Sequence, residues 1–298
     1  MISTRVVCGP FVGRAAELEH LALRRRSAGD AHGGLVLVGG EPGIGKSRLV
    51  RQFLERLNRR TSLVASSACR EFAQKPLGPL VDVLAQIGSG SETLAHATKA
   101  ELLDAMAGAF ERAAAKRTTV VILEDLHWAD VDLVQTLLIL VRRAAAKRLL
   151  FVGTYRDNEL SPAHPLFKWF GQLFREPSVS VVSLPRFEAP EIDRLMSLAI
   201  EERVTLSIPV LHAVRDRSDG NPLFAEELLR NAVDAQRAGR TDSVRALPLG
   251  LWEVKGAERE RVAHCELAPL VHRRDVEDED VRVHEPGHQG SARAQHAR

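Results

Sequence analysis

Cysteine is scarce in this 298-residue chain, and the three present, Cys8, Cys69 and Cys265, are odd in number and far apart. No C-x-x-C pair occurs, so the sequence offers neither a disulfide framework nor a zinc ligand set, and a reducing cytoplasm is the expected compartment. Long apolar runs are missing as well. No segment approaches the ~18 consecutive apolar residues of a membrane span, and no charged N-terminal region leads into an apolar stretch, so neither membrane spanning nor secretion is expected. The chain also lacks an excess of one charge. Its 41 basic and 39 acidic residues leave +2, which removes any global electrostatic reason to expect nucleic-acid binding.

What is present reads as a folded α/β protein. The length exceeds one average domain, and a hydrophobic content of 45% is ordinary, so one large α/β domain with a smaller companion is expected. Short apolar runs at Leu35–Val38, Ser62–Ala65, Val120–Leu123, Leu149–Val152 and Val179–Val182 read as strands of a parallel sheet buried on both faces. Helical spacing lies between them: Ala15–Arg26, with Leu18, Leu21 and Leu23 toward a core and Arg24-Arg25-Arg26 in solvent; Arg48–Leu54; a helix beginning near Leu80; Leu102–Ala115; and Leu133–Ala146. Strands alternating with helices imply right-handed crossovers. Gly88-Ser89-Gly90-Ser91 and Lys75-Pro76-Leu77-Gly78-Pro79 are loop signals. From about Ala189 the pattern becomes helical only, with segments Glu191–Ile200, Ile208–Arg217 and Pro222–Ala235. Beyond Leu249 the apolar period is lost. This tail holds five of the eleven histidines and the acidic block Glu277-Asp278-Glu279-Asp280, and is expected to be disordered; His264-Cys265, His272, His284 and His288 match no standard metal spacing.

The stretch Gly40-Glu41-Pro42-Gly43-Ile44-Gly45-Lys46-Ser47 fits the phosphate-binding pattern G-x-x-x-x-G-K-[ST], between a strand and a helix as that chemistry requires. Glycines let backbone N–H groups close around a phosphate chain, and the helix N-terminus adds partial positive charge. Lys46 reaches the terminal phosphates and Ser47 offers a hydroxyl to Mg²⁺. Gly40, Pro42, Gly43, Ile44, Gly45, Lys46, Ser47 and Arg48 are the candidate nucleotide contacts.

A second element supports the first. Val120-Val121-Ile122-Leu123 ends in Glu124-Asp125, two carboxylates suited to holding Mg²⁺ and polarising an attacking water, carried to the γ-phosphate by adjacent strand ends. Where the usual metal-side residue is Asp, Glu124 stands here, so the division of labour between Glu124 and Asp125 stays open. His127 is either a contact of a metal-bound water or a structural histidine, and Asp130 is placed to cap the next helix. Gly153-Thr154-Tyr155-Arg156 ends a further strand, where Thr154 and Arg156 are placed to sense a γ-phosphate. Arg142 and Arg143 read as helix surface. Gly220-Asn221-Pro222 alone reads as a turn before a helix.

Taken in order, Phe11-Val12-Gly13-Arg14, the phosphate loop, Leu123-Glu124-Asp125-Leu126-His127-Trp128-Ala129-Asp130, Val152-Gly153-Thr154-Tyr155-Arg156 and Gly220-Asn221-Pro222-Leu223-Phe224 resemble the STAND branch of the AAA+ ATPases. The resemblance covers about residues 10 to 248 and is greatest to the ATPase module of large LuxR-type transcriptional regulators and some bacterial adenylate cyclases. It implies a P-loop NTPase domain over 10–188 with a helical lid over 189–248, leaving 249–298 as a disordered or aberrant tail. It also implies a slow, Mg²⁺-dependent ATP switch in which ADP holds a closed state and ATP favours self-association. Val12 and Arg14 would lie near the adenine and ribose, Arg156 would be the sensor, and Pro222 would pack on the base. The winged helix, repeat sensor and helix-turn-helix of those regulators cannot be placed here, so direct DNA binding is not expected. The loss of pattern after Leu247-Pro248 suggests a frameshift or truncation. The alternatives are a non-hydrolysing, nucleotide-dependent interaction module and an inactive fragment.

Overall fold

The computed structural model describes residues 11–71, 76–88, 99–200 and 206–237. Five strands, β1 (Gly34–Gly39), β2 (Ser62–Ala68), β3 (Thr118–Glu124), β4 (Leu149–Tyr155) and β5 (Val179–Ser183), form one parallel sheet in the order β2-β3-β4-β1-β5. Every residue of β1, β3 and β4 is buried, as the near-continuous apolar composition of these central strands demands. The edges differ in kind. β2 and β5 carry serines and are only partly buried, because each has a neighbour on one side alone.

The twofold alternation of strand side chains divides the core between the two faces of the sheet. Leu35, Leu37, Val121, Leu123, Leu149 and Phe151 point to one face, which is covered by α3 (Gly78–Gln86), α4 (Lys99–Lys116), α5 (Val131–Ala144) and α6 (Phe167–Leu173) through residues such as Leu80, Phe110, Leu137 and Phe170. Val36, Val38, Val120, Ile122, Leu150 and Val152 point to the other, covered by α1 (Ala15–Gly29) and α2 (Lys46–Glu55). Helix α2 contributes Leu49, Val50, Phe53 and Leu54, all fully buried, and each large side chain taken out of water there contributes about 1.5–3 kcal/mol. A third cluster stands apart from both. It joins α7 (Ala189–Ala199), α8 (Ile208–Ser218) and α9 (Pro222–Arg237) around Ile192, Leu195, Val214, Ala225 and Leu228, and takes in Val12 and Phe187.

Three sequence expectations need correction. Leu23 is 52% exposed, because two residues past the buried Leu21 it has turned about 200° around α1. Arg24 and Arg25 do not simply sit in solvent: Arg24 donates to the Ser178 carbonyl at 2.9 Å, and Arg25 to the hydroxyls of Thr61 and Ser62 at 2.9 and 2.7 Å, tying α1 to the starts of β5 and β2. Helix α5 ends at Ala144, two residues short of the expected end. Helix α6 and the single 3-10 turn Leu126–Trp128 had no sequence signal assigned to them. Cys8, Lys75, Ser89-Gly90-Ser91 and everything from 238 onward, including the histidine-rich tail, lie outside the described residues. No helix among the described residues is long and apolar enough to cross a membrane.

Candidate nucleotide site

The strand order places the site. Since β4 lies between β3 and β1, the carboxyl ends of these three neighbours carry Glu124-Asp125, Thr154-Tyr155-Arg156 and the phosphate loop side by side, where open parallel sheets bind their ligands. The strands bearing the loop and the two acids are therefore not neighbours, contrary to the expectation of adjacent strand ends; the strand bearing Thr154 separates them.

The loop's conformation depends on glycine, as Gly45 and Gly43 show. Gly45 has φ 103° and forms the N-cap of α2, and Gly43 has φ 77° with Leu223 of α9 pressed so close that a Cβ would fall 2.8 Å from its side chain. Lys46 is 5% exposed and folds back on the loop, its ammonium donating to the Gly40 and Glu41 carbonyls at 2.9 Å each. Ser47, at the first turn of α2, donates its hydroxyl to Glu124 Oε2 at 2.6 Å. Glu124 and Asp125 are 2% and 3% exposed.

Asp125 occupies the left-handed region at φ 54°, a conformation its short polar side chain tolerates better than most. Its N–H donates to Thr154 Oγ1 at 2.9 Å, so the buried threonine of β4 holds the backbone of the second acid. The reversal at Asp125 starts the 3-10 turn and drives His127 into the interior. Burial pushes the His127 pKa down to about 3, against the opposing pull of Asp125 and with Arg156, Lys46 and His164 adding to the fall, so the ring is neutral. Arg156 is 9% exposed, donates to Glu159 Oε1 at 2.7 Å, and stacks 4.9 Å above the centre of the Trp128 ring. Asp130 caps α5 as expected, accepting from the Leu133 N–H at 2.6 Å. Cys69 follows β2, donates its N–H to the Glu124 carbonyl at 2.8 Å, and has its thiol pKa pushed up by burial and by Asp125 and Asp130, which favours the protonated thiol.

The remaining candidates sit where the helical cluster meets this end of the sheet. Val12 is buried in the helical cluster; Arg14, 8% exposed, lies 4.4 Å over the Phe187 ring and donates to the Pro185 carbonyl and to Glu17. Neither contacts the phosphate loop through a hydrogen bond. Pro222 is buried at the start of α9, and Arg48 pairs at 2.6 Å with Glu226 of the same helix. Two further residues join the halves and had no role assigned from sequence. Asn221 accepts from the N–H groups of Leu223 and Phe224, capping α9, while its amide donates to the Pro42 carbonyl of the phosphate loop at 3.0 Å. Arg186 grips both oxygens of Glu41 at 3.0–3.2 Å and also pairs with Asp219. Asn221 lay inside a quoted motif, so a signal existed; Arg186 stands in a connecting segment with no pattern of its own.

Among the described residues no cluster of three or more His, Cys, Asp or Glu forms a ready cation cage. A Mg²⁺ held with a nucleotide asks for less, commonly one or two protein oxygens with phosphates and waters completing the shell.

Comparison with known proteins bears on the fold. Residues 10–152 match the family model of the AAA ATPase domain. The Orc1 protein of Aeropyrum pernix, solved in complex with DNA, superposes with a TM-score of 0.57 at 18% identity over 83% of this chain and 72% of that one. Cdc6p from Pyrobaculum aerophilum gives 0.56 at 15% identity over 80% and 66%, and Drosophila ORC bound to DNA gives 0.56 at 18% over 79% and 59%. No curated protein matches the sequence. A parallel five-stranded sheet of this order, flanked by helices and closed at β1 by a phosphate loop, is the AAA+ P-loop NTPase fold, and this chain adopts it.

Proposed function

We propose that the chain binds ATP and ADP with Mg²⁺ in the loop after β1 and hydrolyses ATP slowly, as a switch module in signalling rather than a metabolic enzyme. The observation that carries this reading is the 2.6 Å hydrogen bond from Ser47 to Glu124. It brings the hydroxyl of the phosphate loop and the first acid of β3 to one point, and a hydroxyl beside a buried carboxylate is a hard-oxygen donor set that fits Mg²⁺. Glu124 is accordingly the metal-side acid with Ser47, and Asp125, held by Thr154, is the acid that orients water. When bound, Mg²⁺ would offset the charge on the β- and γ-phosphates. Lys46 would exchange its loop carbonyls for phosphate oxygens, and the loop N–H groups would do the rest of the binding. Arg156 reports whether a γ-phosphate is present. Val12, Arg14 and Pro222 form the base and ribose side, where residues 189–237 serve as the described part of the lid.

The ordered motifs support placing this module in a LuxR-type transcriptional regulator of the cytoplasm, with self-association in the ATP state. DNA belongs to the Aeropyrum and Drosophila structures; with a net charge of +2, no direct DNA contact is assigned to this chain. Calorimetry of ATP and ADP binding with and without Mg²⁺, paired with phosphate release over hours, tests the reading. Binding that strengthens with Mg²⁺ and is abolished by Lys46→Ala is the expected result, and ATP affinity retained by Lys46→Ala at matched salt would overturn it. Asp125→Asn stops release while sparing binding if the module hydrolyses; release unchanged in that variant would exclude Asp125 as the water-orienting acid.

A further inference from the structure

The net charge of +2 is a sum over two unlike ends of the molecule. In a parallel sheet all strands start at one end and finish at the other, so the segments leading into the five strands gather opposite the phosphate loop. Those segments, 26–33, 55–61, 112–117, 142–148 and 175–178, hold twelve Lys and Arg residues against three Asp and Glu. The segments at the loop end, 40–47, 69–71, 124–132, 156–160 and 184–188, hold four against nine. The basic segments adjoin one another. Register sets Ser62 opposite Thr118, so Arg60 and Arg117 precede neighbouring strands about 4.8 Å apart. The Thr119 N–H donates to the Arg148 carbonyl at 2.8 Å, which brings in the start of β4, and Arg142 pairs with Glu176 at 2.8 Å just before β5.

Helix ends account for part of this, because a cation in the last turn complements the helix dipole. Arg60, five residues past the end of α2, is out of that reach. Arg56, Arg60, Arg112, Lys116, Arg117 and Arg175 are exposed, and none has an ion pair or a side-chain hydrogen bond among the described residues. Like charges crowded together without partners repel, so the fold gains nothing from the arrangement. What the segments lack points to an occupant. They contain no Phe, Trp or Tyr and no exposed large apolar side chain, although Phe174 borders the last of them. A folded protein partner is gripped through a charge-poor core with aromatic anchors, a lipid surface through inserted Trp, Phe or Leu, and a single nucleic-acid strand through bases stacked on aromatic rings. A double helix needs none of these, because Arg and Lys on its phosphates are enough to hold it. Ten of the twelve cations are Arg, whose planar fork fits phosphate oxygens. We propose that the end of the sheet opposite the phosphate loop docks on double-stranded DNA, through phosphates and without reading sequence. No contact of this kind uses a ribose 2′-hydroxyl, so an RNA duplex gains no advantage. This end lies a full strand length from the phosphate loop and takes no part in the ATP reading.

Fluorescence anisotropy of a labelled DNA duplex, two helical turns long and titrated with the full chain in the absence of nucleotide, is the test. Binding is expected at about 50 mM salt, with log K falling against log salt at a slope of about −4 to −5, as roughly four to six phosphate contacts require. Arg60→Ser combined with Arg117→Ser removes two exposed, unpaired cations; it should weaken binding at least about tenfold at that salt and make the slope shallower by about 2. Arg70→Ser combined with Arg194→Ser removes the same charge from exposed positions elsewhere, and should leave the affinity within about twofold. No binding at about 50 mM salt, equal weakening by the two pairs, or unchanged binding by the first pair would overturn the proposal. Tighter binding to an RNA duplex, a Glu-rich peptide or vesicles of anionic lipid, each added as competitor against the same DNA, would overturn it as well. Should Arg60→Ser with Arg117→Ser not fold, Arg56→Ser with Lys116→Ser decides in its place. Failure of the ATP reading would be seen in the calorimetry and leaves this outcome standing.

Discussion

The sheet and the helical cluster meet the phosphate loop in different ways. On the sheet side the joints are buried and short: Ser47 to Glu124 at 2.6 Å, the Asp125 N–H to Thr154 at 2.9 Å, and α2 packed through Phe53 and Leu49 against strands covered on both faces. On the helical side the joints are mostly ion pairs in reach of water, Arg186 at 47% side-chain exposure and Arg48 at 27%, with the amide of Asn221 as the buried exception. Buried contacts of the first kind stand or fall with the fold. An exposed pair such as that of Arg186 with Glu41 is worth about 0–1 kcal/mol and can be exchanged for water, so the sheet half is a rigid floor under the loop and the helical half is fastened to it in part by bonds that can be remade.

The largest effect is expected where the floor itself is broken. Phe53→Ala removes a fully buried ring between α2 and the sheet, and should cost about 3–5 kcal/mol in urea unfolding, because the surrounding strands relax only partly into the cavity. The loss should fall on the whole transition, since α2 also carries Lys46 and Ser47. A cost under about 1 kcal/mol would mean that α2 is not seated on the sheet as described.

An intermediate effect is expected at the seam. Asn221→Ala removes the cap of α9 and the tie to Pro42 together. Loss of an N-cap costs about 0.5–2 kcal/mol, and here the cost should be confined to the helical half. Limited proteolysis checks this: cleavage should accelerate within α7 to α9 and remain unchanged in β3 and β4. Equal acceleration in both halves would show that they are not distinguishable units.

The two halves also differed in how much of them could be read beforehand. All five strands were legible, because a doubly covered parallel sheet demands short apolar runs such as Val120–Leu123, and composition alone reveals them. The loop after β1 and Glu124-Asp125 at the end of β3 stood out as a candidate site because nucleotide chemistry needs fixed residue types at fixed spacing. What stayed hidden depends on partners distant in sequence. Leu23 looked like its neighbours Leu18 and Leu21 until the helix phase was set by the sheet, and Arg24 and Arg25 looked solvated until β5 and β2 arrived beside them. The hydrogen bond from Ser47 to Glu124 joins residues 77 positions apart, a pairing that no local pattern reveals. Helix α6 has only Phe170 and Leu173 fully buried, too few to set a period. The seam residues are hidden for the same reason: Arg186 acts on Glu41, 145 positions earlier, and no local pattern marks such a pair.

The smallest effect on stability is expected at Arg186. Its guanidinium spans Glu41 in the phosphate loop and Asp219 at the turn into α9, and roughly half of its side chain is exposed. Water and salt therefore screen both pairs, and Arg186→Ala should change global stability by less than about 1 kcal/mol. Its influence should appear in exchange between the halves instead. Glu41 lies within the loop whose carbonyl already receives Lys46, so releasing it loosens the closed seam without touching the sheet. Amide hydrogen exchange should rise in residues 219–224 and around Glu41 at low salt, and the difference from the unmodified chain should shrink as ionic strength increases. Exchange that rises equally at high salt would assign the seam to packing against Leu223 and Asn221 rather than to charge, and would make the helical half as firmly built in as the sheet.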